Sequence, residues 1–391
     1  MSRADEMPVG FRHKDPPRHA LVAAKPWPFS ALHGHPGFVE AWRQSFAANL
    51  RYAVLTGAGF TYPAVRVRMR APLELGQRFL TIPADAEFVR EARKRVLPLR
   101  MLAPATSLEA GNQRGSARLL DAEPVQALCR IGAALKALPG WDYAQIPVPQ
   151  GMAHEVAQAW QEAGLTAIFR QTGRHYLGYS DYPGWNQLFA RMSHNTRKNL
   201  GRMLRSNAAA GIRVEYFGPD RLEAGLGHLR EMAAVSWKNR EAERRPPVRV
   251  PLTETQIAFL RALAGQRGIA PRIFVLFQQK ACRGIALWFE CDGWLTGGLT
   301  FFDPAAQAFS PGHALMHEAL LWCEENGIRK LDMNSTDGWL RAYTDLCEPF
   351  GVMIVLRQNA FGRALERLAR RVEDLPPEST RAAHDPDRDH G

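Results

Sequence analysis

The stretch Trp294–Ala314 reads WLTGGLTFFDPAAQAFSPGHA. Trp294–Phe302 is a strand candidate, and Ser310 opens a helix whose start signals agree with one another. Ser310 is a side chain suited to an N-cap, and Pro311 has the fixed φ favoured at the first helical position. Gly312 lets another group approach the backbone with no side chain in the way. The amides of Gly312, His313 and Ala314 are therefore expected to point outward, with the helix dipole behind them. Such an end is a ready site for a diphosphate. S-P-G also opens many ordinary helices, so the flanking elements decide what it means.

Upstream, Arg272–Gln279 and Gly284–Cys291 are further strand candidates, and Asp292-Gly293 is a strong two-residue hairpin signal. Before them come a strand at Ile212–Phe217 and helices at Leu222–Trp237 and Thr253–Ala264. Downstream, the spacing predicts a helix over Ser310–Asn326 and a strand over Ile328–Asn334. A short helix at Trp339–Leu346, a strand at Val352–Gln358 and a helix from Phe361 to Val372 follow. Trp185–Ala209 reads as one basic helix carrying Arg191, His194, Arg197, Lys198, Arg202 and Arg205. The first half alternates too: helix at Gly37–Leu50, strands at Arg51–Leu55 and Ala64–Met69, and a helix at Pro124–Leu138 stopped by Pro139-Gly140. Strand, helix and strand then follow at Trp141–Val148, Met152–Ala163 and Leu165–Arg170. The expected fold class is α/β, and the first half is mixed α/β in its own right.

A chain of 391 residues exceeds one comfortable core and favours two domains. The formal charge of +11 and pI near 9.7 suit anionic partners, although an Arg-rich bias raises pI without any. The five cysteines are scattered with no C-x-x-C spacing, a pattern of reducing compartments. Neither a secretory signal nor a run long enough to span a membrane is present, so the expected location is cytoplasmic. Met1–Pro28 and Asp374–Gly391 read as a loose arm and a loose tail. His313 and His317 are four apart, a spacing able to bind metal. No third ligand is suggested nearby, and no metal is expected. No G-x-S-x-G, H-E-x-x-H or Walker sequence occurs.

The order strand, two helices, three antiparallel strands, helix, strand, helix, strand is that of a GNAT domain. Phe302-Asp303-Pro304 followed by Phe309-Ser310-Pro311-Gly312 resembles the Y-D-P…Y-S-P-G signature of the CelD-like acetyltransferases of polysaccharide biosynthesis, relatives of Fem-type peptidyl transferases. Thr196-Arg197-Lys198-Asn199-Leu200 is similar to that family's basic R-K-x-L-R-R segment, and Ser236-Trp237 to a later one. The resemblance spans roughly Tyr176–Arg357. Against the general GNAT phosphate loop, Q/R-x-x-G-x-G/A, the chain has Phe309-x-x-Gly312-x-Ala314. Phe309 replaces the leading Gln or Arg, which leaves room for an acyl carrier protein or an aminoacyl-tRNA as donor.

The resemblance implies an N-acyltransferase that uses acyl-CoA, typically acetyl-CoA, with direct attack by an amine. Its acceptor would be a small molecule or a glycan, such as an amino sugar or a cell-surface polysaccharide precursor. It places the donor on Thr300, Phe309, Ser310, Gly312, His313 and Ala314, with oxyanion contacts from the Trp294–Phe302 strand. Tyr343 occupies the place of the tyrosine that protonates the departing thiolate, and packing is its alternative reading. Asp332 is a candidate base or substrate anchor and Asn334 a candidate contact for the pantetheine arm. Turn chemistry over Asn334-Ser335-Thr336-Asp337-Gly338 is the alternative for both. Trp237 is a candidate acceptor wall, and Arg197 and Lys198 form an anion-binding wall or a solvated face. By analogy the fold is α/β of the α+β type with tandem GNAT-like halves, each a mixed, mostly antiparallel sheet flanked by helices: a degenerate half over 29–184 and a donor-binding half over 185–373. A Fem-type aminoacyl-tRNA-dependent transferase, an inactive GNAT-fold binding protein and a nucleic-acid-binding module are the alternatives.

Overall fold

The computed structural model describes residues 32, 35–46, 51–57, 60–72, 96–104, 118–119, 124–176, 178–179, 181–236, 252–335, 338–344 and 346–373. The expected arm and tail lie outside the described residues, and so does Trp237.

Helix α1 (Pro36–Phe46) precedes strands β1 (Arg51–Gly57), β2 (Phe60–Pro72), β3 (Val96–Pro104) and β4 (Arg118–Leu119). Then come α2 (Pro124–Ala137), β5 (Tyr143–Pro149), α3 (Gln150–Glu162) and β6 (Leu165–Tyr176). Two helices, α4 (Trp185–Arg191) and α5 (His194–Ala209), lead to β7 (Ile212–Phe217), α6 (Leu222–Val235) and α7 (Glu254–Ala264). A meander of β8 (Ile269–Gln278), β9 (Ala281–Cys291) and β10 (Trp294–Phe302) feeds α8 (Pro311–Glu325) and β11 (Lys330–Asp332). The chain closes with β12 (Cys347–Arg357) and α9 (Ala360–Glu373).

These strands form two mixed, mostly antiparallel sheets. The first runs β1-β2-β3-β5-β12-β6, with β4 beside β2; the second runs β11-β10-β9-β8-β7. Alternation along the strands sorts the core into layers. Ile273, Val275, Ile285 and Leu287 face a central core with Leu226 and Leu229 of α6, Leu260 and Leu263 of α7, and Phe38 and Trp42 of α1. Their neighbours Phe274, Leu276, Ala286 and Trp288 face the opposite side, against Leu188 of α4, Leu200 of α5 and Leu315 of α8. On the first sheet Ile354 and Leu356 join the central core, whereas Met353 and Val355 pack beneath α2 and α3.

Sequence signals that match turn chemistry are realised. Asp292 and Gly293 both have positive φ, 49° and 76°, as the primed hairpin turn requires. Thr253 and Gln256 cap α7 reciprocally. The predicted single helix over Trp185–Ala209 is two helices, because Met192 is extended (ψ 154°) and Ser193 accepts a hydrogen bond from the Thr196 amide as an N-cap. The short helix near Trp339 is a 3-10 turn over Gly338–Ala342. The strand β3 was not expected, and β12 lies between β5 and β6 of the first sheet.

Candidate functional site

Parallel pairing of β10 with β11 stops at Thr296–Asp332, while β10 runs on to Phe302. The strands part there, and a cavity of about 60 Å³ opens at the gap. Its walls are Ala286, Leu287 and Trp288 of β9, Gly297, Gly298 and Thr300 of β10, Gly312, Leu315 and Met316 of α8, and Met333–Ser335 with Trp339 and Leu340. The two β10 glycines are sterically required. A Cβ on Gly297 would lie 2.5 Å from the Met333 carbonyl oxygen, and one on Gly298 2.6 Å from the Phe289 ring. The β9–β10 register shifts between Gly297 and Leu299, leaving Gly298 without a partner in the ladder, as at a bulge that re-aims backbone.

Above the gap stands the first turn of α8. Ser310 is its N-cap but adopts the left-handed conformation (φ 47°, ψ 60°), and its hydroxyl makes no capping bond. The side-chain cap expected from the sequence is therefore not formed. The Ala314 amide bonds to the Ser310 carbonyl at 3.1 Å, so it belongs to the helix and not to a ligand. The Gly312 and His313 amides, in the unpaired first turn, remain. A Cβ on Gly312 would meet only Trp339, at 3.9 Å. Phe309 is half-buried, and its carbonyl accepts a 3.0 Å bond from Nδ2 of Asn207 on α5.

Asp332 and Asn334 act together at the strand end. Asp332 is 1% exposed and is not a cavity wall. Its Oδ1 accepts from the Asn334 amide at 2.9 Å and holds Asn334 at φ 44°. Asn334 Nδ2 donates across the gap to the Gly297 carbonyl at 3.0 Å. Asn334 Oδ1 and Thr296 Oγ1 are buried with no hydrogen-bond partner among the described residues, which a bound group or water would normally supply.

Tyr343 is fully buried, and its hydroxyl sits 2.8 Å from Nδ1 of His313. Burial pushes the phenol's pKa far up and depresses that of the His313 imidazole, so the phenol donates and a neutral His313 accepts. Trp339, 36% exposed, packs edge-on to both rings at 5.1 and 5.8 Å. Tyr343 thus stands behind the cavity and is not among its walls.

On α5, Arg197 turns back to bond the Ala190 carbonyl at 2.6 Å, whereas Lys198 is exposed. His317 packs on Trp185 and bonds Glu318, so it does not converge with His313. His35, Cys291 and Asp292 bring possible ligand atoms within 4.8 Å of one another. The Gly37 amide donates to His35 Nδ1 at 3.0 Å, which puts the ring proton on Nε2, the atom facing Asp292 at 3.6 Å. A protonated nitrogen has no lone pair for a metal, so the trio reads as a polar clamp. Sequence reasoning missed Gly297, Gly298 and Trp339 in the walls and Asn207 behind the loop. Only the glycine pair inside a strand pattern signalled its role in advance.

No helix among the described residues is long and apolar enough to cross a membrane. Among curated proteins no sequence matches the chain. Of solved structures, FemX aligns with 86% of this chain and 96% of its own at 11% identity and a TM-score of 0.53, a likeness of fold. The lysylphosphatidylglycerol synthetase-type structures give 13% identity, 87% and 97% coverage and a TM-score of 0.48 for L-PGS of Bacillus licheniformis. For the C-terminal domain of the putative synthetase of Agrobacterium fabrum the values are 12%, 86%, 91% and 0.49. In sequence, residues 194–342, which hold every wall of the cavity, match the family model described as the acetyltransferase (GNAT) domain.

Proposed function

We propose that this chain is an N-acyltransferase that takes an acyl group from a pantetheine thioester, acetyl-CoA in the simplest case, and places it on an amine. The observation that carries this reading is the pair of amides, Gly312 and His313, left unpaired at the start of α8 above a cavity between parted strands. Two such amides and the positive end of a helix favour a diphosphate. The glycine walls leave a narrow passage for an unbranched arm. The match of residues 194–342 to a GNAT domain supports the same assignment.

In this reading the amine nitrogen attacks the thioester carbonyl directly. The ammonium first gives one proton to water; the neutral amine then forms the C–N bond, the C–S bond breaks, and a second proton leaves the adduct's nitrogen and ends on the departing sulfur. The backbone beside the Gly298 bulge stabilises the oxyanion as it develops. Asn334 bridges the parted strands and offers Oδ1 to the arm, with Thr300 on the facing wall. Asp332 is a positioning residue that acts through Asn334. Tyr343 holds His313, and through it the first turn of α8; protonating the thiolate would require its hydroxyl to leave that partner. The acceptor class we favour is an amino sugar or a cell-surface polysaccharide precursor, approached from the side of the first half. We further propose that 29–184 is a degenerate GNAT-like half and that 185–373 carries the donor site.

The FemX likeness, which spans both sheets, favours a second reading, a Fem-type transferase fed by aminoacyl-tRNA. Incubating the full chain with acetyl-CoA or with charged tRNA and a panel of amino sugars and other amines separates the two. Acceptor-dependent release of free thiol from acetyl-CoA is the expected result. Transfer from charged tRNA with no binding of acetyl-CoA would replace the first reading with the second.

A further inference from the structure

Between Asp181 and Glu215 the sequence has no carboxylate, yet it carries Arg191, Arg197, Lys198, Arg202 and Arg205. Helix α5 lies across the surface with only Leu200 and Asn207 buried. At about 100° per residue, Lys198, Arg202 and Arg205 fall within about 60° of one another, and Leu200 and Asn207 point to the opposite side. Those three cations are exposed and make no ion pair or hydrogen bond among the described residues. A solvated helix usually dilutes such a stripe with acidic neighbours at i,i+4; here none exists.

The stripe has a fixed relation to the donor loop. Asn207 ties the last turn of α5 to the Phe309 carbonyl, next to the free amides of α8. Along the helix Arg205 lies only about 3 Å from that tie, Arg202 about 7 Å and Lys198 about 13 Å, at 1.5 Å per residue. The cations face away from the loop, so a compact ligand held on the Gly312 and His313 amides does not cover them. A partner that covers them and also feeds the cavity must be large and must reach it by an extension. Among the described residues the exposed large hydrophobics are Val235 and Trp339 alone. Both lie on other elements, so among the described residues α5 itself offers no exposed aromatic platform on which single-stranded bases stack and no apolar wedge for a lipid surface. Rigid carboxylates on a protein surface match it best.

We propose that Lys198, Arg202 and Arg205 dock a small acidic carrier protein that presents the acyl group as a thioester on a phosphopantetheine arm. The inference rests on the donor-site reading above and names its donor. The arm enters the cavity past Gly312, the C–S bond that breaks is the arm's own, and the thiol stays on the carrier. The loop itself, Asp303–Ala314, contains no Lys or Arg, so the charge that selects the donor sits on α5.

The test titrates the full chain into a fluorescently labelled holo carrier protein, and acetyl-CoA into the chain in parallel. The variant Lys198→Glu/Arg202→Glu/Arg205→Glu is expected to weaken carrier binding about tenfold or more, and the matching Gln variant by less, with acetyl-CoA affinity unchanged. Wild-type carrier binding should also weaken as salt rises to about 0.15 M and beyond. Equal carrier affinity in all three proteins overturns the proposal. So does a parallel loss of acetyl-CoA affinity, which would assign the stripe to the nucleotide's own phosphates. Binding of a duplex RNA hairpin but not of the carrier, abolished by the Glu variant, overturns it in favour of RNA. Failure of acetyl-CoA to bind the wild-type chain counts against the donor site, whereas the carrier titration decides the docking surface independently.

Discussion

Ser310 and Asn334 hold left-handed backbone, φ 47° and 44°, where a side chain costs about 1–3 kcal/mol. Asn334 is a wall of the cavity and turns the chain away from β11, whereas Ser310 turns it into α8, where Gly312 is a wall. Asp332 maintains the second turn through its bond to the Asn334 amide. Replacing Asp332 with Asn keeps an Oδ1 acceptor, so acetyl-CoA affinity and turnover should stay within about threefold of wild type. Asp332→Ala removes the acceptor and should cost about 1–3 kcal/mol of stability, together with donor affinity. Turnover abolished in Asp332→Asn with binding intact would instead make Asp332 the base. His313 gives a pH prediction. Burial lowers its pKa in the folded state, so the unfolded chain binds the proton first as pH falls below about 6.5. The stability gained from the neutral ring is present above that pH and is lost on acidification. Between pH 7 and 5 the melting temperature should therefore fall less in His313→Gln than in wild type. An identical fall would show that the ring does not contribute. At this scale the sequence revealed the residues whose type is itself the signal, Gly312 and Pro311 above all. It did not reveal that Arg197 spends its guanidinium on Ala190 or that Asn207 stands behind Phe309. Both depend on contacts between elements, which no local pattern encodes.

Among elements, the α2–α3 contact is a steric constraint outside the cavity. A Cβ on Gly132 would fall 2.1 Å from Trp160, whose indole nitrogen donates to the Leu128 carbonyl at 2.8 Å. Gly132→Ala removes a flexible residue from a helix, which alone favours folding by up to about 1 kcal/mol. The clash should outweigh that gain and leave the protein about 1–3 kcal/mol less stable in denaturant unfolding. An unchanged midpoint would mean that α2 and α3 are not packed this closely. The elements legible in the sequence were those with a strong period or a strong punctuation: the β9–β10 hairpin at Asp292-Gly293, α7 with its Thr253 cap, and α2 ended at Pro139-Gly140. The strand β3 escaped because Pro98, Arg100 and Pro104 interrupt its apolar pattern. The break at Ser193 escaped because the residues on either side of it share helical spacing, and only the Ser193–Thr196 bond distinguishes a cap from a helix interior.

At the level of the whole molecule, β12 links the two sheets. It follows the donor-site elements in sequence but pairs with β5 and β6, and Ile354 and Leu356 enter the core that α6 and α7 share with the second sheet. Pairing over such a separation is invisible to a reading of local pattern. It predicts that fragments 1–184 and 185–391 expressed separately are unfolded by circular dichroism, the first lacking an inner strand and the second carrying an orphan one. A cooperatively melting 185–391 fragment would show that the second half folds alone. In that two-sheet body the amides opening α8 are proposed to receive the phosphate of a pantetheine donor, the diphosphate when the donor is acetyl-CoA. Calorimetric titration of acetyl-CoA into the wild-type chain and into Gly312→Val tests this, because a Cβ at 312 meets only Trp339, at ordinary contact distance, so the fold is expected to tolerate the change. Saturable binding by the wild type is expected, with affinity reduced about tenfold or more in the variant at an unchanged melting temperature. Equal affinity in the two proteins, or no binding by the wild type, would contradict it.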